Sequence, residues 1–96
     1  MTEELRILLL EDVSDDAELI KRELRKGNLA FASRRVYTSK EYLRELDEFS
    51  PHIVISDFTL GEFNALDALA LLRKHSPDLP FILVTGSRRP HRRIPM

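Results

Sequence analysis

The chain's hydrophobic pattern begins with "LRILLL", residues 5–10, an apolar run broken only by Arg6. A short Leu- and Ile-rich run of this kind, apolar at successive rather than alternate positions, reads as a strand covered on both faces. "HIVIS" at 52–56 and "FILVT" at 81–85 repeat the pattern. "FASRRVY" at 31–37 alternates weakly, with Phe31, Ser33, Arg35 and Tyr37 on one side and Ala32, Arg34 and Val36 on the other. It predicts a short, partly exposed edge strand.

Between these runs the period changes to that of a helix. Apolar residues at 17, 20 and 24, with 19 beside them, predict a helix over 15–26. Ser14 or Asp15 offers its N-cap, acids occupy the first turn, and Lys21, Arg22, Arg25 and Lys26 lie toward the end where the dipole favours them. Gly27-Asn28 stops it. Thr38 or Ser39 caps a second helix, with Glu41 near the capping-box position and an apolar face of Tyr42, Leu43, Leu46 and Phe49. Ser50-Pro51 ends that helix. A third runs from near Asn64 to His75 and carries Leu66, Leu69, Ala70 and Leu72. The order β-α-β-α-β-α-β predicts a three-layer α/β fold, a parallel sheet with helices on both faces.

Composition narrows the class. A chain of 96 residues is one domain. With 43% hydrophobic and 32% charged residues, it has the makings of a packed core and is not a disordered chain. The absence of cysteine excludes disulfides and thiolate zinc sites. No apolar run approaches the roughly 20 residues of a membrane span. The acidic start, Met1-Thr2-Glu3-Glu4, lacks the basic n-region of a signal peptide, so the cytoplasm is expected. The net charge of −1 is unevenly spread: residues 1–87 hold 16 acids against 11 Lys and Arg, a formal −5, and the stretch from Arg88 holds four arginines and no acid.

Candidate chemistry collects at the strand ends. Strand 1 runs into Glu11 and Asp12, strand 3 into Asp57, and strand 4 into Thr85. Open α/β sheets bind ligands outside the C-terminal ends of their strands. If strands 1, 3 and 4 are neighbours, three carboxylates and a hydroxyl meet in one cleft. Like charges held together repel, and a hard divalent cation relieves them. Oxygen-only ligands point to Mg²⁺, with Mn²⁺ as the alternative, and the backbone carbonyl of Thr59 is a further candidate ligand. A carboxylate beside such an ion can attack phosphorus. Thr85 and the amides near Thr59 and Gly86 would then hold phosphoryl oxygens. Asp57 is therefore a candidate phosphoacceptor or metal ligand. The bland readings take the other polar residues: Asp15 and Asp16 as helix-start acids, Asp67 on a solvated face, His52 and His75 as structural residues, and Tyr37 and Tyr42 as packing outside the cleft.

"ILLLED" and "IVISDFTLGEFNALDALALLRKHSPDLPFILVTG", at this spacing, resemble the receiver domain of two-component response regulators over nearly all of residues 5–86. The closer likeness is to receivers of hybrid or multidomain sensor kinases. The resemblance implies a flavodoxin-like sheet of order 2-1-3-4. It implies that Asp57 takes a phosphoryl group from the phosphohistidine of a histidine kinase or phosphotransfer domain, that Glu11 and Asp12 hold Mg²⁺, and that Thr85 is the switch hydroxyl. Catalysis would extend only to the domain's own phosphorylation and dephosphorylation. Two local departures are Glu11, where Asp is commoner, and "LGEF" after Asp57, where the family usually has a Pro-Gly pair.

A larger departure follows "VTG". The family continues with a further helix, a fifth strand ending in a lysine that pairs with the phosphoryl group, and a last helix. Here the chain reads "SRRPHRRIPM", and no lysine follows Lys74. The expectation is an incomplete receiver over 1–87 and a basic, disordered tail over 88–96 that lies outside the family. The fourth strand would then present an apolar edge and favour self-association. Nucleic-acid binding by the arginine run is not expected, since no aromatic is interleaved with it, and neither is a membrane partner. Two other functions compete with phosphotransfer: a receiver-like binding or dimerisation module that is not phosphorylated, and a small Mg²⁺-dependent phosphohydrolase. The hydrolase reading lacks a second Asp at position 59, where Thr59 stands.

Overall fold

The computed structural model describes residues 4–57 and 63–84. The Thr59 carbonyl, Thr85, Gly86 and the tail over 88–96 lie outside the described residues. The elements are β1 (Leu5–Leu10), α1 (Ser14–Lys26), β2 (Phe31–Val36), α2 (Ser39–Glu48), β3 (Ile53–Asp57), α3 (Ala65–His75) and β4 (Phe81–Val84). All strands are parallel, in the order β2-β1-β3-β4. This is the 2-1-3-4 sheet expected of a flavodoxin-like fold.

The chain moves outward from β1 to β2 and then back across to β3. Right-handed crossovers therefore put α1 on one face and α2 on the other. Strand side chains alternate between those faces. Ile7, Leu9 and Ile55 pack with Ala17 of α1. Leu8, Leu10, Val36 and Val54 pack with Tyr42 and Leu46 of α2 and with Ala68 and Leu72 of α3. Two cores on one sheet explain why β1 and β3 are apolar at successive positions.

Local details depart from the sequence reading. The N-cap position of α1 is Val13, with no side-chain cap bond, so Ser14 and Asp15 lie within the first turn. Asp16, read as an ordinary helix-start acid, is buried. Gly27 closes α1 with an ordinary negative φ, and Asn28 takes the left-handed conformation at φ 60°. Asparagine tolerates that region better than most residues. The second helix keeps the predicted cap: Thr38 accepts from the Glu41 amide at 3.2 Å, and Glu41 Oε1 accepts from the Tyr37 amide at 3.5 Å. Asn64 caps α3 by accepting from the Asp67 amide at 2.9 Å.

Tyr42 joins α2 to α3. Its ring is buried, meets Phe63 at 5.5 Å between centroids, and its hydroxyl donates to the Ala68 carbonyl at 2.9 Å. Burial pushes its pKa well above the ordinary value of 10.0, only partly opposed by the charge of Arg73. The unfolded chain therefore gives up this proton first, and the stabilisation is complete below the unfolded value and lost as pH rises through the folded one. Urea unfolding at about pH 8 and about pH 11 should show a larger alkaline loss of stability in the unmodified chain than in Tyr42→Phe. Equal losses would rule out Tyr42 as the source.

His52 and His75 have the structural places expected of them. His52 Nδ1 accepts the Arg6 amide at 2.9 Å, joining the starts of β1 and β3. His75 Nε2 meets Asp47 Oδ1 at 2.6 Å, joining the ends of α2 and α3. At the other side of the sheet, β4 pairs only with β3 among the described residues, and its Ile82 and Leu83 are exposed. No helix among the described residues is long and apolar enough to cross a membrane.

Candidate functional site

The site lies at the C-terminal edge of the sheet. The β1–β3 register pairs Leu10 with Ser56, so Glu11 and Asp57 follow side by side. Asp57 is the last residue of β3, not the first of the loop, and pairs with Val84 of β4. Glu11 and Asp57 are fully buried, whereas Asp12 is exposed. One carboxylate oxygen from each of the three residues lies within 4.8 Å of the others. The buried carboxylate on which β3 ends thus has two further acids beside it.

Backbone contacts fix the acids. The Glu11 amide donates to the Val36 carbonyl at 3.1 Å, extending the β1–β2 ladder by one bond beyond the strand. Glu11 Oε2 accepts from the Val13 amide at 3.2 Å and so turns the chain into α1. Ser56 Oγ donates to the Asp57 carbonyl at 2.9 Å, which holds the end of β3. Asp12 opens onto a groove of about 910 Å³ bounded by Tyr37, Thr38 and Ser39 on one side and by Asp67 and Lys74 of α3 on the other.

The donor set suits a hard cation. Three carboxylates in reach of one point, with no sulfur or imidazole among them, match the oxygen ligands that Mg²⁺ takes. Asp67 remains on an exposed helix surface beside the groove, and Asp15 is exposed on α1. Neither belongs to the acidic group. The sequence reading missed one residue next to the site. Arg35, at the end of β2, donates from Nη1 to the Glu11 carbonyl at 3.1 Å.

Comparison with known proteins agrees with this geometry. The family model described as the response regulator receiver domain matches residues 7–94. No curated protein matches the chain. Among solved structures, a sensor protein from Polaromonas sp. JS666 is similar in fold, with a TM-score of 0.75 and 24% identity over 96% of this chain and 74% of that one. The non-phosphorylated HemR receiver domain from Leptospira biflexa has a TM-score of 0.70 and 26% identity, over 94% of this chain and 71% of that one. A response regulator receiver domain protein from Clostridium thermocellum has a TM-score of 0.70 and 25% identity, over 84% of this chain and 64% of that one.

Proposed function

Because the chain belongs to the response regulator receiver domain family, we propose that it is a phosphoacceptor module of a two-component relay and that Asp57 is the acceptor. What supports this reading above all is the meeting of Glu11, Asp12 and Asp57 at the open end of the sheet. An Asp57 oxygen attacks phosphorus as a P–O bond forms. The P–N bond to the donor's imidazole breaks, and the imidazole leaves with the electron pair and takes up a proton. The donor is a phosphohistidine on a histidine kinase or phosphotransfer partner. Glu11, Asp12 and Asp57 would hold Mg²⁺, which when bound neutralises charge on the transferring phosphoryl oxygens. Burial of Asp57 limits its encounter with water, and the exposed Asp12 marks the side from which the donor approaches. The Thr59 carbonyl as a metal ligand, and Thr85 and the Gly86 amide on the phosphoryl group, complete the proposed set from the sequence.

The test is intact mass after incubation with Mg²⁺ and acetyl phosphate, where the leaving group is acetate. A gain of about 80 Da, one phosphoryl group, is expected with Mg²⁺ and not with excess chelator. A folded chain that gains nothing would overturn the proposal. It would leave the second reading, a receiver-like module that associates without phosphorylation, which the exposed Ile82 and Leu83 on β4 favour. Sedimentation of the same sample would then show a dimer.

A further inference from the structure

We infer that Arg35 is a positioning residue for the acidic site, holding the Glu11–Asp12 turn in the shape that binds a divalent cation. The inference rests on the proposed metal-binding role of these acids. The β1–β2 ladder runs through Leu10↔Val36 and is extended by the Glu11 amide to the Val36 carbonyl. Beyond that point the chain must leave the sheet so that Asp12 faces the groove and Val13 begins the turn into α1. A side-chain donor that reaches a backbone carbonyl at such a strand end fixes the chain where it leaves the ladder. The Glu11 carbonyl finds that donor in the Arg35 guanidinium at 3.1 Å.

Arg35 can do this because of its register. It stands opposite Leu9, and in a pleated strand Leu9 and Glu11 project to the same face. The guanidinium also lies over the Tyr37 ring, 5.4 Å from its centroid, and Tyr37 borders the groove onto which Asp12 opens. The planar group is thus held from two directions, by a carbonyl and by an aromatic face, which suits arginine better than lysine. The neighbouring Arg34 does something else: it pairs with Glu45 of α2 at 2.7 Å and lies over Phe49 at 4.9 Å. Adjacent arginines on one strand therefore serve opposite faces of the sheet.

A positioning role and a purely electrostatic one predict opposite signs. A cation near three carboxylates repels Mg²⁺, so removal of the charge alone would tighten binding. Loss of the anchor would weaken it, as happens when groups that orient metal ligands are removed. Calorimetric titration with Mg²⁺ should give about 10-fold weaker binding for Arg35→Ala, with partial recovery in Arg35→Lys, which keeps one donor. Arg34→Ala, which costs a tertiary ion pair away from the acids, should bind Mg²⁺ like the unmodified chain, and this control removes any general effect of lost stability. Unchanged or tighter binding in Arg35→Ala, or equal weakening in Arg34→Ala, would overturn the inference while leaving the metal-site reading intact. If the unmodified chain takes up no Mg²⁺, the two fall together.

Discussion

An Asp57→Asn chain should gain no phosphoryl group under conditions in which the unmodified chain gains about 80 Da, because an amide lacks the anionic oxygen that attacks phosphorus. The substitution is nearly isosteric, so the buried end of β3 keeps its shape and its pairing with Val84. The expected effect is complete for the adduct and partial for the metal. Glu11 and Asp12 still offer two carboxylates, and calorimetry should show Mg²⁺ bound at least about 10-fold more weakly, not abolished. A mass gain that persists in the variant would place the acceptor elsewhere. Unchanged Mg²⁺ affinity would remove Asp57 from the ligand set even if the adduct were lost.

Replacement of Tyr42 by Ala should have the largest effect on the fold itself. The ring is buried among residues from β1, β2, β3 and α3, touches Phe63, and carries the hydroxyl bond to Ala68. Truncating a large core aromatic costs about 3–5 kcal/mol through lost burial and the cavity left behind. A domain of this size has only about 5–10 kcal/mol in total. The melting temperature should therefore fall by roughly 12–40 °C, at about 4–8 °C per kcal/mol for domains of this length. Leu66→Ala, on an exposed position of the neighbouring helix, should stay within about 0.5 kcal/mol. Thermal unfolding followed by circular dichroism measures both. A comparable shift in the two variants would mean that α2 and α3 are not joined through Tyr42.

The predicted elements and the observed ones agree because the signals behind them are local. Successive apolar residues in β1 and β3 report two covered faces, and helical spacing in α2 reports one. Capping of α2 at Thr38 or Ser39 was likewise legible, since a side-chain acceptor three residues before its donor is a matter of short-range geometry, and Thr38 takes the place. Where local signals compete, the sequence misleads. Ser14 and Asp15 both resemble caps, yet the turn made by Glu11 and Val13 starts α1 earlier. Gly27 is the obvious residue for a left-handed stop, yet Asn28 takes that conformation. Glu45 of α2 is buried and paired with Arg34 of β2, a contact made across the tertiary structure and not within the helix.

What the sequence determined by itself is the set of strand-end acids and the layered class of the fold. An apolar strand that stops on a carboxylate announces an open edge, and parallel strands align their C-terminal ends. What only the tertiary structure decided is who stands next to whom. The order β2-β1-β3-β4 brings Asp57 beside Glu11 and Asp12 across some 45 positions of sequence, a juxtaposition set by crossover handedness and sheet pairing. Arg35 shows the same limit more sharply. An arginine on a weakly alternating edge strand carries no local sign of a role, and its bond to the Glu11 carbonyl, 24 positions away, exists because the register places it beside that carbonyl.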